Sequence, residues 1–461
     1  MKNPYMSSAL WIIFSLFLSF SAPSHQASYS PPPLPNPRIL NAYTALQAWK
    51  HVILSDPKNF TSNWCGLDVC NYKGVYCAPA PDNPHITTVA GIDLNHADIA
   101  GSLPEELGLL TDLALFHINS NRFCGTLPDS FRHLRLLYEL DISNNRFKGQ
   151  FPSVVLCLPS LKFLDIRYNE FEGDIPTGLF DLKLDAIFVN NNKFKSSLPG
   201  NIGNSPVSVI VFANNNLNGC LPSSLSKMAK TLNELIITNA GLKGCLSPEI
   251  GLLKNVTVFD VSSNELVGPL PETIGEMKRL EQLNVAHNKL SGEIPATICS
   301  LPNLENFTYS YNYFCGEPPT CLKLPANDDK KNCIPDRPMQ RSPDECAAFL
   351  AQPVDCGAFG CLPRSPPPSP PSPPLTPPSP PLSYYHHPWS FFFKIIWRGK
   401  WKYVGKHGLS NLLLFPFIFR SPWLKPHLHC ICVICTNFWL FPFFLFGLKW
   451  GILNNNVVNF Q

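Results

Sequence analysis

The sequence predicts an α/β solenoid, a chain wound into about ten stacked coils that each lend one short strand to a shared parallel sheet. Three observations carry this. Asparagine returns at Asn121, Asn145, Asn169, Asn192, Asn215, Asn264, Asn288 and Asn312, in steps of 23 or 24 residues wherever neighbouring rungs are both filled. Around each rung one frame recurs, as in Leu137-x-x-Leu140-x-Ile142-x-x-Asn145-x-Phe147-x-Gly149-x-Phe151-Pro152. The frame fits ten times between about Val89 and Pro319. Only two rungs (Ala97, Ala240), one Gly (Ser196) and one Pro (Ser247) depart from it.

Each part of the frame has a physical task. The alternating Leu and Ile form a short strand that points into the core, and the Asn amide bonds backbone groups of neighbouring turns that burial would otherwise strand. Gly four residues after the Asn permits a turn with positive φ. Pro seven after it removes a donor where no ladder should form. This is a leucine-rich repeat, expected to wind as a right-handed superhelix of plant-type coils.

Ahead of the coils, Met1 to about Ala27 has one early Lys2, an apolar stretch from Ala9 to Phe20 and small residues after it, the layout of a secretory signal peptide. Residues 37–88 then read as an N-terminal cap. Leu40, Tyr43, Leu46, Trp49 and Ile53 lie at helical spacing, predicting an amphipathic helix from Ile39 to about Leu54. Cys70 and Cys77 form the expected clasp, and Cys65 is left over, to reach elsewhere or to link two chains into a homodimer.

Within the coils, Cys220 and Cys245 fall in one column of successive repeats and are expected to pair, since adjacent coils sit about 5 Å apart. After the repeats (89–319), residues 320–364 form a polar, Cys-rich C-terminal cap. Cys321, Cys333, Cys346, Cys356 and Cys361 fall there, with Cys315 just before it, and all six are expected in disulfides of unreadable connectivity. Export agrees with this cysteine usage and with three Asn-x-Thr acceptors, Asn59, Asn255 and Asn306. Residues 365–385 begin as Ser-Pro-Pro-Pro-Ser-Pro-Pro, a stiff polyproline II rod. Residues 386–461 are a Phe- and Trp-rich tail, in which 428–448 is long enough to be considered as a membrane span.

The formal charge of +3 over 461 residues argues against nucleic acid as the partner. Its distribution says more. The tail from His386 carries eight Lys or Arg and no Asp or Glu, so the preceding residues stand at −5. No His-Glu-x-x-His, Gly-x-x-x-x-Gly-Lys-Ser/Thr or Gly-x-Ser-x-Gly pattern occurs, and the expectation is a binding protein with no catalytic residue, metal or cofactor.

The frame also names the concave face. Four residues before each Asn position the column reads Asp93, His117, Asp141, Asp165, Phe188, Val211, Ile236, Asp260, Asn284, Thr308. One residue before it reads His96, Ser120, Asn144, Tyr168, Asn191, Asn214, Asn239, Ser263, His287, Tyr311. Positions six and seven before add Glu139, Asp185, Glu234, Glu281 and Glu305 against Lys162, and Arg167 lies two before. Nine carboxylates face two bases, a surface for a basic ligand. Tyr168 and Tyr311 are the expected apolar anchors.

Several runs are more specific than the repeat consensus: Ala45-Leu-Gln-Ala-Trp49, Val89-Ala-Gly-Ile-Asp-Leu-Asn-His-Ala-Asp-Ile-Ala-Gly101, Phe116-His-Ile-Asn-Ser-Asn-Arg-Phe-Cys-Gly125 and Phe163-Leu-Asp-Ile-Arg-Tyr-Asn169. With the leader and the Ser-Pro run they resemble the plant leucine-rich repeat extensins over roughly residues 37–382. The resemblance implies a secreted, extracellular protein of the plant cell wall that binds rapid alkalinization factor peptides, which are basic and Cys-containing. It implies a part in wall formation, integrity sensing and growth, with cell-wall polysaccharide or pectin as a further partner. It also implies a hydroxylated, arabinosylated Ser-Pro anchor, which here is truncated or aberrant after Tyr385. Two other readings are an inhibitor of a secreted polysaccharide-degrading enzyme, which has no need of the rod, and a membrane-tethered receptor lacking a kinase.

Overall fold

The structure, a computed structural model, describes residues 36–359. The leader, Cys361, the Pro-rich run and the tail with its 428–448 stretch lie outside the described residues. Among those described, no helix is long and apolar enough to cross a membrane.

Twelve strands form one inner sheet in chain order. Val75–Ala80 and Asn83–Asp93 make an antiparallel hairpin, and from Asn83–Asp93 onward every pair is parallel. The coils stack without slippage: Leu115 pairs with Glu139, then Phe163, Ala186, Val209, Glu234, Val258, Gln282, Asn306 and Ala326. The columns counted off the sequence are therefore true neighbours in space. Each repeat strand is three residues long, and its middle residue (Leu140, Leu164, Ile187, Ile210, Leu235, Phe259) is fully buried. Phe123, Phe147, Phe171 and Phe194, two residues after their Asn positions, form a spine through the core, with Phe147 and Phe171 stacked at 6.4 Å.

The Asn ladder holds the spine in place. Asn288 donates to the carbonyls of Val261, Val285 and Ala286 at 3.0, 3.1 and 3.2 Å and accepts from Leu266 N at 3.0 Å, all of them buried. Where the ladder lapses, the fold records it. The lateral strands form one set of six ending at Lys193–Phe194 and another of four beginning at Lys243–Gly244. Between them a single bridge, Gly219 to Leu242, remains. This is the segment an Asn at position 240 would have held, and Ala240 has no amide to hold it.

An eleventh coil follows the ten read from the sequence. Ala326–Asp328 adds to the inner sheet, and the buried Asn332 donates to Tyr309 O and Asp329 O and accepts from Phe314 N. Its step from Asn312 is 20 residues, outside the period, so the sequence frame passes over it. Arg337 clamps this coil, bridging Glu317 at 2.8 Å and Asp329 at 2.5 Å, while Glu317 also takes the Tyr309 hydroxyl.

The N-terminal cap begins with helix α1 (Pro37–His51), started by the Asn36 side chain accepting from Arg38 N and by Pro37 at the first helical position. It ends at Val52, earlier than the expected Leu54, because Ile53–Ser55 turns into a strand beside Ala100–Gly101. The buried face is Ala42, Ala45, Leu46 and Trp49; Leu40 of the expected stripe is 44% exposed. Trp49 lies 5.7 and 5.6 Å from Phe116 and Phe123, welding the cap to the first Phe-bearing coil.

Cys70 and Cys77 are bridged. Of the other cysteines, two expectations are corrected, the Cys220–Cys245 pair and a disulfide at Cys315. Cys245 pairs with Cys356, 111 residues away, and Cys220 is also disulfide-bonded but not to Cys245. Equivalent side chains of adjacent coils project side by side from the flank, and a disulfide needs Cβ vectors that converge. Cys321 pairs with Cys299 of the short helix α2 (Ala296–Cys299), a cysteine the sequence reading left out, and Cys333 pairs with Cys346 of helix α3 (Pro343–Leu350). Cys315, expected in a disulfide, is a free thiol among the described residues. Cys65 is exposed and free.

Candidate functional site

The inner sheet presents two outward columns, residues four and six before the Asn positions, because strand side chains alternate. Their middle is apolar. Phe163, Ala186, Phe188, Val209, Val211, Ile236 and Val258 lie across five coils, all half-buried, with Glu234 set between Val209 and Val258. Phe163 and Phe188 pack at 5.4 Å, and the Arg167 guanidinium lies 5.3 Å from the Phe188 ring centre. The sequence reading named Phe188, Val211 and Ile236 as outward positions and drew nothing from them. Their run of consecutive apolar residues in one column was the available signal.

Carboxylates frame this floor. Asp141 and Asp260 each turn one oxygen to a backbone N–H two residues on, Ser143 N at 3.0 Å and Ser262 N at 2.9 Å. Each also receives an amide from a neighbouring coil, Asn119 at 2.9 Å and Asn284 at 3.0 Å. Asp93 accepts from Asn95 N in the same way. The recurrence of Asp in this column thus has a local cause, an Asx turn that closes each strand. The charge remains on the surface all the same. Asp260 borders a shallow hollow of about 80 Å³ with Val258, Gln282, Asn284, Asn306 and Thr308.

Three of the nine carboxylates are not free. Glu139 meets His117 at 3.0 Å, and Asp185 meets Lys162 at 3.4 Å. Asp165 is the clearest departure. Its side chain is 2% exposed and sits under Arg167, whose Nε is 3.0 Å away. Burial pushes its carboxyl up to about 7, Arg167 opposes the shift, and Asp141 in the next coil adds to it. Asp165 therefore lies beneath the outer surface, where no ligand would touch it. Asp93, Asp141, Glu234, Asp260, Glu281 and Glu305 make no ion pair among the described residues.

Tyr168 and Tyr311 lie elsewhere than expected. Both stand at the corner after the strand, with φ of 52° and 58°, so they line the margin of the sheet and leave its floor to Phe163 and Phe188. All ten residues of that column, from His96 to Tyr311, are left-handed. The three sequons also differ in setting. Asn59 is exposed in a turn, Asn255 is half-buried with its amide on Lys230 O at 3.1 Å, and Asn306 is exposed on its strand at the rim of the hollow. No cluster of His, Cys, Asp or Glu that would hold a metal is present among the described residues.

A concave parallel sheet with an apolar floor and a charged frame, closed by disulfide caps, defines a plant-type leucine-rich repeat binding domain. Family models described as "Leucine rich repeat N-terminal domain" and "Leucine rich repeat" match residues 41–78 and 111–171. Leucine-rich repeat extensin-like protein 6 of Arabidopsis thaliana is 69% identical over 335 residues, 72% of this chain and 71% of that protein. Leucine-rich repeat extensin-like protein 7 of the same plant is 68% identical over 72% of this chain and 78% of its own length. The chain belongs to the leucine-rich repeat extensin-like proteins. Among solved structures it is similar to the leucine-rich repeat ectodomain of the Arabidopsis receptor kinase HAESA in complex with an IDA peptide hormone. That match has TM-score 0.56 and 27% identity, over 64% of this chain and 50% of that one.

Proposed function

We propose that this chain is a secreted protein of the plant cell wall that captures a basic, Cys-containing peptide of the rapid alkalinization factor type on its concave sheet. The observation that carries the reading is the five-coil apolar floor framed by unpaired carboxylates. An exposed apolar patch with a polar rim is the anatomy of an interface, in which buried aromatics supply most of the affinity and rim charges steer approach. A ligand with apolar side chains between basic ones fits it. The HAESA ectodomain, a structural neighbour, is solved with a peptide hormone, which supports a peptide as the class of ligand. No step of this reading requires catalysis.

Two features would bound the site. A glycan on Asn306 would cover the hollow beside Asp260 and confine the ligand to the earlier coils. The free, exposed Cys65 would allow two chains to be joined at the cap. Truncation of the floor tests the reading: Phe188→Ala should weaken capture of a rapid-alkalinization-type peptide by at least about 2 kcal/mol, as for an aromatic hot spot. It should leave the melting temperature within a few degrees, since the ring is only half-buried. Unchanged affinity would remove the floor from the site.

A further inference from the structure

The left-handed column at the margin of the sheet is a second surface, distinct from the acidic floor. We propose that it binds a neutral, extended β-linked glucan, with Tyr168 and the His287–Tyr311 pair as stacking platforms. Backbone at φ near +55° is tolerated by Asn and Asp, whose short polar side chains bond locally, and is strained for Tyr. The column uses Asn144, Asn191, Asn214 and Asn239, as that rule allows, and never uses Asp, although the adjacent columns are rich in carboxylates. Conformation alone would admit both. The ridge carries no carboxylate, Lys or Arg along ten coils.

The tyrosines break the conformational rule in the other direction. Tyr168 and Tyr311 are 39% and 41% exposed, so burial does not offset their strain, and neither hydroxyl has a hydrogen-bond partner among the described residues. Strained, exposed and unpartnered aromatics point to a ligand. Tyr311 is already stacked on His287, with centroids 4.2 Å apart and planes at 11°, so this pair presents a pre-ordered plate. Tyr168 lies between Asn144 and Asn191, an aromatic face with an amide on each side. A flat ring flanked by uncharged donors and acceptors matches a sugar, which offers a C–H face to the ring and equatorial hydroxyls to the amides.

The repeat fixes the length of the ligand. Corners of successive coils advance by the strand spacing, about 4.8 Å, so Tyr168 and Tyr311, six coils apart, are separated by about 29 Å. Successive sugars of an extended β-1,4 glucan advance by nearly the same distance, so six steps need seven sugars, and a heptamer or longer chain reaches both platforms. An anionic polymer meets no Lys or Arg along the ten positions.

The test uses the full chain with celloheptaose, cellobiose and polygalacturonate as probes, in wild type and in Tyr168→Asn/Tyr311→Asn. Asn suits the left-handed corner, so the variant should melt no lower than wild type, and a lower melting point would itself contradict the strain on which the inference rests. Wild type should bind celloheptaose at least tenfold more tightly than cellobiose. The double variant should lose that preference while keeping its affinity for the basic peptide. Failure to bind celloheptaose, equal binding by the variant, or a preference for polygalacturonate would overturn the proposal without touching the peptide site.

Discussion

Replacing Asp165 by Asn should abolish a pH dependence of stability that the wild-type sheet carries. Asp165 is buried beside Arg167 and close to Asp141, and its carboxyl is pushed up to about 7, against about 3.9 in an unfolded chain. The folded form therefore holds this proton more tightly than the unfolded one. The associated stability is complete below about pH 4 and is lost as the pH rises, until the loss levels off above about pH 7. A shift of about three units corresponds to about 4 kcal/mol, of which about 1.5 has already gone at pH 5. About 2.5 kcal/mol then remains to be lost between pH 5 and pH 8.5. Asn is neutral throughout and keeps the oxygen that accepts from Arg167 N, 3.1 Å away. Urea unfolding of both proteins across this range should show the variant gaining on wild type by about 2.5 kcal/mol. Arg167→Gln, which removes the opposing cation, should move the wild-type loss to higher pH. A gap between Asn variant and wild type that stays constant with pH would mean that Asp165 is ionised throughout and that its burial carries no penalty.

Three further outcomes follow from the same structure. A basic ligand laid over the floor favours ionised Asp165, so by linkage its affinity should rise as the pH passes through about 7 in wild type and stay flat in Asp165→Asn, a difference titration calorimetry would resolve. Asn288→Ala strips partners from three buried carbonyls and the Leu266 N–H. It should cost at least about 3 kcal/mol, with protection from hydrogen exchange lost first at Leu266. If Cys65 joins two chains, a non-reducing gel should show a dimer that Cys65→Ser abolishes, and a wild-type monomer on that gel ends the idea.

Most of the architecture was legible because one constraint repeats. A buried Asn amide that must meet backbone groups of two coils cannot drift, so counting from it placed every strand register from Leu115 to Asn306. The eleventh coil was missed for the same reason, since its short step breaks the count while Asn332 still makes the bonds. Disulfides were harder. Column position told that Cys220 and Cys245 are near each other, and nothing in a column tells where a Cβ points or that Cys356 returns to the flank. At the site, outward position was legible and accessibility was not. Asp141 and Asp165 are equivalent in the frame, yet Arg167 and the Phe163–Phe188 pair cover only the second. The apolar floor was visible as letters and went unread, because charge was counted and adjacency across coils was not.

Capture of a basic peptide by the framed floor is decided by one titration. A basic, Cys-containing peptide of the rapid alkalinization type is titrated into the full chain and into Asp141→Asn/Glu234→Gln/Asp260→Asn, at 0.1 M and 1 M salt, where the screening length falls from about 10 Å to about 3 Å. These three carboxylates make no ion pair among the described residues, and the amide replacements keep their acceptor oxygens. Wild type should bind at low salt and weaken by about tenfold or more at high salt, and the triple variant should bind more weakly with little salt dependence. Indifference of the wild type to such peptides at low salt, or equal binding by the variant, would contradict the account.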